Sequence, residues 1–543
     1  MEKTIMLTRR NTAVASIDAN HCVNCGMCRD YCPADAISER QKVICHLCPD
    51  CTERKAITPD QMIELQNEAC TLACPLGLSP QGFINLLKNG RKRQAFEIIW
   101  KKNPLPATTG YVCHHPCQDV CKRGTLVDRP MEIRAIQRFL SEDALGFDPD
   151  PYPVIFDERI AVIGAGPAGL SAAHSLSHLG YKVTVFEQSN QPGGMLMRGI
   201  PAFRADKEII RKEIGRLEKA GLEIICNTKI PNDYTELLKD FDRVVVSVGT
   251  QISKELPIPG AVSENVTTAL HLMEKVNAGQ TVDMSGFVVV LGGGSVAVDA
   301  ARTAVRCGAD RVVMICLESG DQIPAHKWEL DEAREEGIEI IESATATRIF
   351  GGSYSVDGIE YAKICNLNTS NFSFEKVEGS EQTLPATKVI FAIGQRTDLK
   401  WPEHPQAIFA GDCAAGKCSV IDAIASGRNA AIQIDNDLRK REYEDYKIDR
   451  SVEKGDLAYK IYPAVRRKIT FPVPEILSAH ERKTSFEVVE KVFNAENAGL
   501  ETIRCLECGY EYVDAEKCIG CGVCRKVCPM GNVISMVRPL EEN

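Results

Sequence analysis

Eighteen of the 24 cysteines in this 543-residue chain lie before residue 125 or after residue 500. The run Cys22-x2-Cys25-x2-Cys28-x3-Cys32-Pro33 recurs near the other end as Cys518-x2-Cys521-x2-Cys524-x3-Cys528-Pro529. Thiolates two residues apart can fold around one cube of iron and sulfide, and the proline after the last thiol turns the chain away. Centres of this kind move electrons one at a time. A disulfide framework suits a short secreted domain, whereas this chain is long and its first 20 residues lack the charged-then-apolar pattern of a secretory leader. Read run by run, Cys22, Cys25, Cys28 and Cys32 complete one [4Fe–4S] cluster and Cys518, Cys521, Cys524 and Cys528 another. Cys45 is left unassigned. The pair Cys505-x2-Cys508 either joins a zinc or iron site with outside ligands or has no metal role.

The elements that must position these thiols follow from pattern. Residues 1–40 and 501–543 are expected to form ferredoxin-like segments, and residues 41–150 a helical iron–sulfur domain, since Gln81 to Lys88 and Arg93 to Lys101 carry apolar residues at helical spacing. The proline-punctuated stretch Asp148 to Pro153 is a linker. Beyond it, two strands run into glycine loops and helices: Ile160 to Ile163 before Gly164-Ala165-Gly166-Pro167-Ala168-Gly169, and Phe287 to Leu291 before Gly292-Gly293-Gly294-Ser295-Val296-Ala297. The fold class is therefore α/β, with two Rossmann-like dinucleotide-binding domains. The first spans 151–285 and resumes at 386–440, the second spans 286–385, and 441–500 is a connector.

A glycine fingerprint between strand and helix lets backbone approach a pyrophosphate at the helix N-terminus. In the first fold Gly164, Gly166 and Gly169 supply it, and Glu187, ending the next strand, is placed to bond a ribose hydroxyl, so this is the FAD site. Gly194, Met195, Arg198 and Ile200 follow where the ribityl chain and ring of a flavin would lie. Gly394 and Gly411-Asp412 mark the resumed fold, Asp412 facing ribityl hydroxyls, and the helix from Val420 aims its N-terminus at the flavin. In the second fold Gly292, Gly294, Ser295 and Ala297 form the nicotinamide-nucleotide loop. Its next strand ends in Glu318, which would bond a free 2′-hydroxyl and repel a 2′-phosphate, so NADH is favoured over NADPH. Arg302, Arg306 and Arg311 are near enough in sequence to weaken that inference. Cys413 and Cys418 are expected to be incidental thiols rather than a redox disulfide.

Composition removes other classes. A formal charge of −10 and no aromatic-laced basic stripe argue against nucleic acid, and no apolar run approaches the ~18 residues of a membrane span. Reduced thiols point to the cytoplasm.

With these motifs, residues 45 to 440 resemble the small subunit of glutamate synthase and the N-terminal half of dihydropyrimidine dehydrogenase. The supporting segments are Ala73 to Gly77, Cys113-x3-Cys117-x3-Cys121, Ile163 to Gly169, Gly193 to Pro201 and Gly292 to Asp299. The resemblance implies two [4Fe–4S] clusters in the helical domain, one on Cys48, Cys51, Cys70 and Cys121, the other on Cys74, Cys113, Cys117 and Gln137. It departs from the family in the long Cys51–Cys70 gap, the short Cys113–Cys117 gap and the loss of an arginine pair around Leu317-Glu318. A rival arrangement would group Cys32 with Cys45, Cys48 and Cys51, at the expense of the family clusters.

The expected protein is thus an FAD- and iron–sulfur-dependent NAD(P)H:acceptor oxidoreductase with about four [4Fe–4S] clusters. Its partners are other redox subunits or ferredoxin, in a hetero-oligomer in which flavin-based bifurcation is one setting. Two alternatives stand beside it: the electron-input subunit of a glutamate synthase-type enzyme, and a non-catalytic wiring subunit.

Overall fold

The computed structural model describes residues 14–18, 22–34, 36–41, 43–45, 62–64, 69–231, 233–397, 401–416, 419–440, 471–513, 518, 521, 523–531 and 533–537. They divide into two compact units, one of residues 1–147, 443–474 and 492–543, the other of 148–442 and 475–491.

The second unit holds two five-stranded parallel sheets. The first runs in the order Ala407–Phe409, Arg243–Val246, Arg159–Ile163, Lys182–Phe186, Glu223–Ile225. The other runs Val266–Thr268, Lys388–Phe391, Phe287–Leu291, Arg311–Ile315, Glu339–Ile341. Central parallel strands are covered on both faces, which is why they read as unbroken Val/Ile runs. Alternation shows where each face goes. Val288, Val290, Val312 and Met314 pack on Ala297, Ala300 and Ala301 of the helix Ser295–Arg306. Val289, Leu291, Val313 and Ile315 face the opposite core with Ile349, Val356 and Ile359.

Those last three residues belong to an antiparallel sheet of Ala344–Gly352, Ser355–Asn368, Ser373–Lys376 and Gln382–Pro385, which periodicity had not singled out. The strand near Val389, expected to resume the flavin fold, instead pairs in parallel with Phe287–Leu291 and Val266–Thr268 in the second sheet. The flavin-type sheet resumes only at Ala407–Phe409. A buried Val/Ile strand carries no mark of which neighbour it will pair with, and pairing decided the boundary. Helix Val420–Arg439 closes this fold by lying directly on helix Pro167–Leu179: a Cβ on Gly427 would come within 1.9 Å of the Ala168 carbonyl oxygen.

The first unit is helical at its centre, where Pro80–Lys88, Lys92–Trp100, Pro106–Val112 and Ile133–Asp143 lie. Pro80–Lys88 starts where it does because the Ser79 hydroxyl accepts from Gly82 N–H and a proline occupies the first helical position. The two chain ends are not separate segments. Val14–Ile17 pairs antiparallel with Ile534–Val537, and Ile37–Gln41 with Gly509–Val513, so the ferredoxin-like module is assembled from both.

The expected connector is also more than a wrap. Its residues 441–470 lie outside the described residues, but 475–491 belong to the dinucleotide unit and Ala495–Thr502 is a helix of the iron–sulfur unit. In 475–491 buried Arg482 pairs with Glu335, the Ser485 carbonyl accepts from Arg306 Nε at 3.1 Å, and Val489 N–H donates to Phe203 at 3.0 Å.

Candidate functional sites

At the first glycine loop each glycine answers a different demand. Gly164 adopts φ +99°, a Cβ on Gly169 would lie 1.9 Å from the Gly164 carbonyl oxygen, and a Cβ on Gly166 would meet nothing within 4 Å. The first makes the turn, the last allows helix and strand to touch, and the middle one leaves open backbone at the N-terminus of a 13-residue helix that has no side-chain cap. Those uncapped N–H groups and the open space beside Gly166 fit a pyrophosphate. Glu187 is buried beside the loop, accepting from Ala165 N–H at 2.8 Å and Ser189 N–H at 2.8 Å. Gly194 arches over the turn, so that its Cβ would sit 3.0 Å from Gly166 Cα.

Beyond Gly194 the short helix Met195–Arg198 and the turn through Ile200 are tied down from behind. The Lys207 ammonium donates to the carbonyls of Leu196, at 2.6 Å, and Ile200. Burial pushes that lysine down to about 7. Asn277 Nδ2 donates to the carbonyls of Arg198 at 2.8 Å and Ile200 at 3.0 Å. The Arg198 guanidinium is paired with Glu274. Asp412 opens the helix Asp412–Ala415, and Thr250 Oγ1 lies 3.4 Å from its Oδ2 and 3.5 Å from Gln395 Oε1, next to Gly394. Thr250 was not picked out from sequence. Its signal was the Gly249-Thr250 pair just past the carboxyl end of a buried strand, where ligands of open α/β sheets gather. Cys413 is half-buried, its Sγ donating to the Ala410 and Val246 carbonyls, and Cys418 lies outside the described residues.

The second loop repeats the design. A Cβ on Gly294 would meet nothing within 4 Å, and the helix behind it, Ser295–Arg306, again has no side-chain cap. Ala297 is fully buried, and Glu318 is buried with its Oε2 only 3.1 Å from where a Cβ on Gly293 would stand. Ser295 Oγ is turned away, donating to Glu329 at 2.6 Å. The three arginines that clouded the choice of nucleotide are committed elsewhere. Arg302 binds Glu332 at 2.7 Å and Glu336 at 2.6 Å, Arg306 binds Glu336 at 2.7 Å, and Arg311 grips Glu339 with two bonds of 2.6 Å.

In the iron–sulfur unit the thiols line cavities instead of converging on a point. Among the described residues no group of three or more His, Cys, Asp and Glu could hold a single metal ion. One cavity is lined by Cys22, Cys25, Cys28 and Cys528, a second by Cys32, Cys518, Cys521 and Cys524. The lining groups thiols across the two runs, where the expectation grouped each run by itself. The short helices Met27–Asp30 and Val523–Val527 each carry the chain from its third thiol across to the other cavity before the fourth appears. Cys32 lines the second cavity with Cys518, Cys521 and Cys524, and Cys48 and Cys51 of the rival grouping lie outside the described residues. Backbone N–H groups point at the sulfurs, Asn24 to Cys22 at 3.4 Å, Ala36 to Cys32 at 3.3 Å and Ala15 to Cys518 at 3.5 Å.

Deeper in the helical domain Cys74, Cys113, Cys117 and Cys121 stand near one another: burial drives the Cys117 thiol well above its ordinary range, and the charges of the other three add to the rise. Gln137 is anchored through Nε2 to the Pro106 carbonyl at 2.9 Å and Thr109 Oγ1 at 2.8 Å, so a ligand role falls to Oε1. Cys70 and Cys121 line a third cavity together with Cys505 and Cys508. Cys48 and Cys51, expected beside Cys70 and Cys121, lie outside the described residues. Burial pushes Cys505 up to about 12, with the charges of Glu507 and Cys121 contributing.

Comparison with known proteins agrees with this architecture. Residues 158–407 match the pyridine nucleotide-disulphide oxidoreductase family, residues 47–147 the 4Fe–4S cluster domain II of dihydropyrimidine dehydrogenase, and residues 15–38 and 511–533 the 4Fe–4S binding domain. The NADP(+)-dependent formate dehydrogenase subunit beta of Moorella thermoacetica is 30% identical, covering 81% of this chain and 70% of that protein. The NAD-dependent dihydropyrimidine dehydrogenase subunit PreT of Escherichia coli K12 is 31% identical, covering 72% of this chain and 96% of that protein. The glutamate synthase [NADPH] small chain of the same organism is 31% identical, covering 69% and 90%. Among the described residues no helix is long and apolar enough to cross a membrane.

Proposed function

The chain belongs to the glutamate synthase small-subunit family of NAD(P)H-dependent flavin and iron–sulfur oxidoreductases, and from that premise we propose that it draws electrons from NADH and delivers them singly through a ferredoxin module built from its two ends. The observation that carries this reading is the exchange of fourth thiols. Cys22, Cys25, Cys28 and Cys528 would hold one [4Fe–4S] cluster, and Cys32, Cys518, Cys521 and Cys524 another. Cys74, Cys113, Cys117 and Gln137 Oε1 would hold a third in the helical domain.

When bound, FAD supplies the conversion between hydride and single electrons. The residues of the chain do the holding. Gly164, Gly166, Gly169 and Gly194 receive the FAD pyrophosphate, Glu187 the adenosine ribose, and Asp412 with Thr250 the ribityl hydroxyls. Lys207 and Asn277 brace the turn from Met195 to Ile200 against the flavin. Gly292, Gly294 and Ala297 admit the nicotinamide nucleotide. Glu318 selects NADH because no arginine of Arg302, Arg306 and Arg311 is left to face a 2′-phosphate. Cys521 is exposed, which sets the edge of the second ferredoxin cavity toward a partner. Such a partner would be another redox subunit or a ferredoxin in a cytoplasmic hetero-oligomer, in line with relatives named as subunits.

Anaerobically purified holoprotein tests this. NADH should bleach the flavin at a far greater kcat/KM than NADPH, and Glu318→Ser should narrow that ratio at least ~10-fold, as expected when one charge-specific contact is removed. Wild type reduced equally fast by NADPH would refute the NADH assignment, and a flavin that neither nucleotide bleaches would refute the reading as a whole.

A further inference from the structure

The segment carrying Cys505 and Cys508 is pinned at both ends. Just before Cys505, buried Arg504 donates to Glu501 at 2.5 Å, to Asp128 at 2.9 Å and to the Arg129 and Pro130 carbonyls at 2.6 and 3.2 Å. Buried Arg123 in turn donates to the Arg504 carbonyl at 2.5 Å and to Asp128 at 2.8 Å. Just after Cys508, Gly509 exchanges two hydrogen bonds with the side-chain amide of Gln81, N–H to Oε1 at 3.0 Å and Nε2 to carbonyl at 2.7 Å. The amide of Gln81 behaves as a strand partner would.

Between the two thiols the backbone repeats a feature of the ferredoxin site. Glu507, the residue preceding Cys508, has φ +55°, and Asn24, the residue preceding Cys25, has φ +54°. Non-glycine residues rarely take this conformation, and here the same position of two Cys-x2-Cys loops takes it. Both loops therefore share a backbone turn at the same place between their thiols.

We propose that Cys70, Cys121, Cys505 and Cys508 hold a [4Fe–4S] cluster, so that the C-terminal segment completes a site of the helical domain and couples it to the ferredoxin module. This rests on the electron-transfer reading above. The coupling element is the first turn of helix Pro80–Lys88. Gln81 and Ile84 line the cavity of the four thiols, while a Cβ on Gly82 would lie 2.7 Å from Cys25 Cα. Ser79 Oγ donates to the Asn24 carbonyl at 2.7 Å, holding the Cys25 loop against the same turn. One helical turn thus separates this cavity from that of Cys22, Cys25, Cys28 and Cys528. In each relay event one centre is oxidised and its neighbour reduced by the same electron, with no atom transferred.

The full chain, purified anaerobically, decides the matter through its iron. C505S/C508S should contain about three quarters of the wild-type iron with FAD unchanged, whereas C48S/C51S should keep it all, since one of about four clusters is at stake. Loss of that quarter from C48S/C51S, or full iron in C505S/C508S, overturns the proposal. If C505S/C508S fails to fold, C48S/C51S still decides it in the same two directions. Because the comparison is a ratio to wild type, a wild type with fewer clusters would fail the broader reading and leave this one testable. Dithionite-reduced wild type should also show more spin–spin broadening in its EPR spectrum than C505S/C508S, in which the ferredoxin module keeps only the interaction between its own two centres; identical line shapes would eliminate the relay.

Discussion

The FAD loop and the ferredoxin cavities make opposite use of chain contiguity. From Gly164 to Glu187 the first nucleotide cradle is built within 23 positions, one strand–turn–helix–strand unit. The cavity of Cys22, Cys25 and Cys28 takes its fourth thiol from Cys528, 500 positions after Cys28. The cradle works through backbone N–H groups whose direction follows from local geometry. The cavities need side chains on several sides of a cube, which a short loop cannot supply without doubling back. The two ends are therefore interdependent, while each glycine loop depends on its own βαβ unit.

The largest effect expected from this contrast is on iron. A chain ending at residue 513 should retain FAD but only about half its iron, because removing Cys518, Cys521, Cys524 and Cys528 also leaves Cys22, Cys25, Cys28 and Cys32 incomplete. An iron-to-FAD ratio reduced by a quarter would instead mean that each run holds its own cluster. Next, Gly169→Ala should destabilise the flavin fold by about 3 kcal/mol, near the upper end for overpacking, and give protein deficient in FAD. Gly166→Ala should fold with little change in Tm and lose FAD affinity, since its Cβ meets only the space reserved for phosphate. Equal Tm losses for the two would erase the distinction between a packing glycine and a binding glycine.

A separate effect, on stability against pH, concerns Lys207. Its folded value is pushed down to about 7 by burial, below the ~10.4 of an unfolded lysine, so between these values the unfolded chain binds the extra proton. Stability should accordingly rise as pH increases from about 7 toward 10, and be indifferent to this group below about 7. Lys207→Met should flatten the rise, read as Tm against pH. A slope unchanged by the substitution would show that the lysine is not the group responsible.

Much of the site was legible because its signals are local. Gly166 and Gly294 lie where the fingerprints put them, and both Glu187 and Glu318 end up beside a glycine loop. The helices at Pro80–Lys88 and Lys92–Trp100 follow their apolar spacing. What failed were inferences about which distant segments meet. Lys388–Phe391 was given to the wrong sheet because a buried parallel strand looks alike from either. The partner of Arg198, Glu274 from a later helix, was likewise not legible in the sequence.

The cysteine runs themselves belong to both halves of that account. Their residue types and spacing alone determined that iron and sulfide would be bound and electrons carried singly, because ligand chemistry is written in composition. Which thiols line one cavity together was decided by the pairing of Val14–Ile17 with Ile534–Val537 and of Ile37–Gln41 with Gly509–Val513. Strand pairing depends on backbone hydrogen bonds between segments hundreds of residues apart, and those bonds carry no local signature for a single sequence to display.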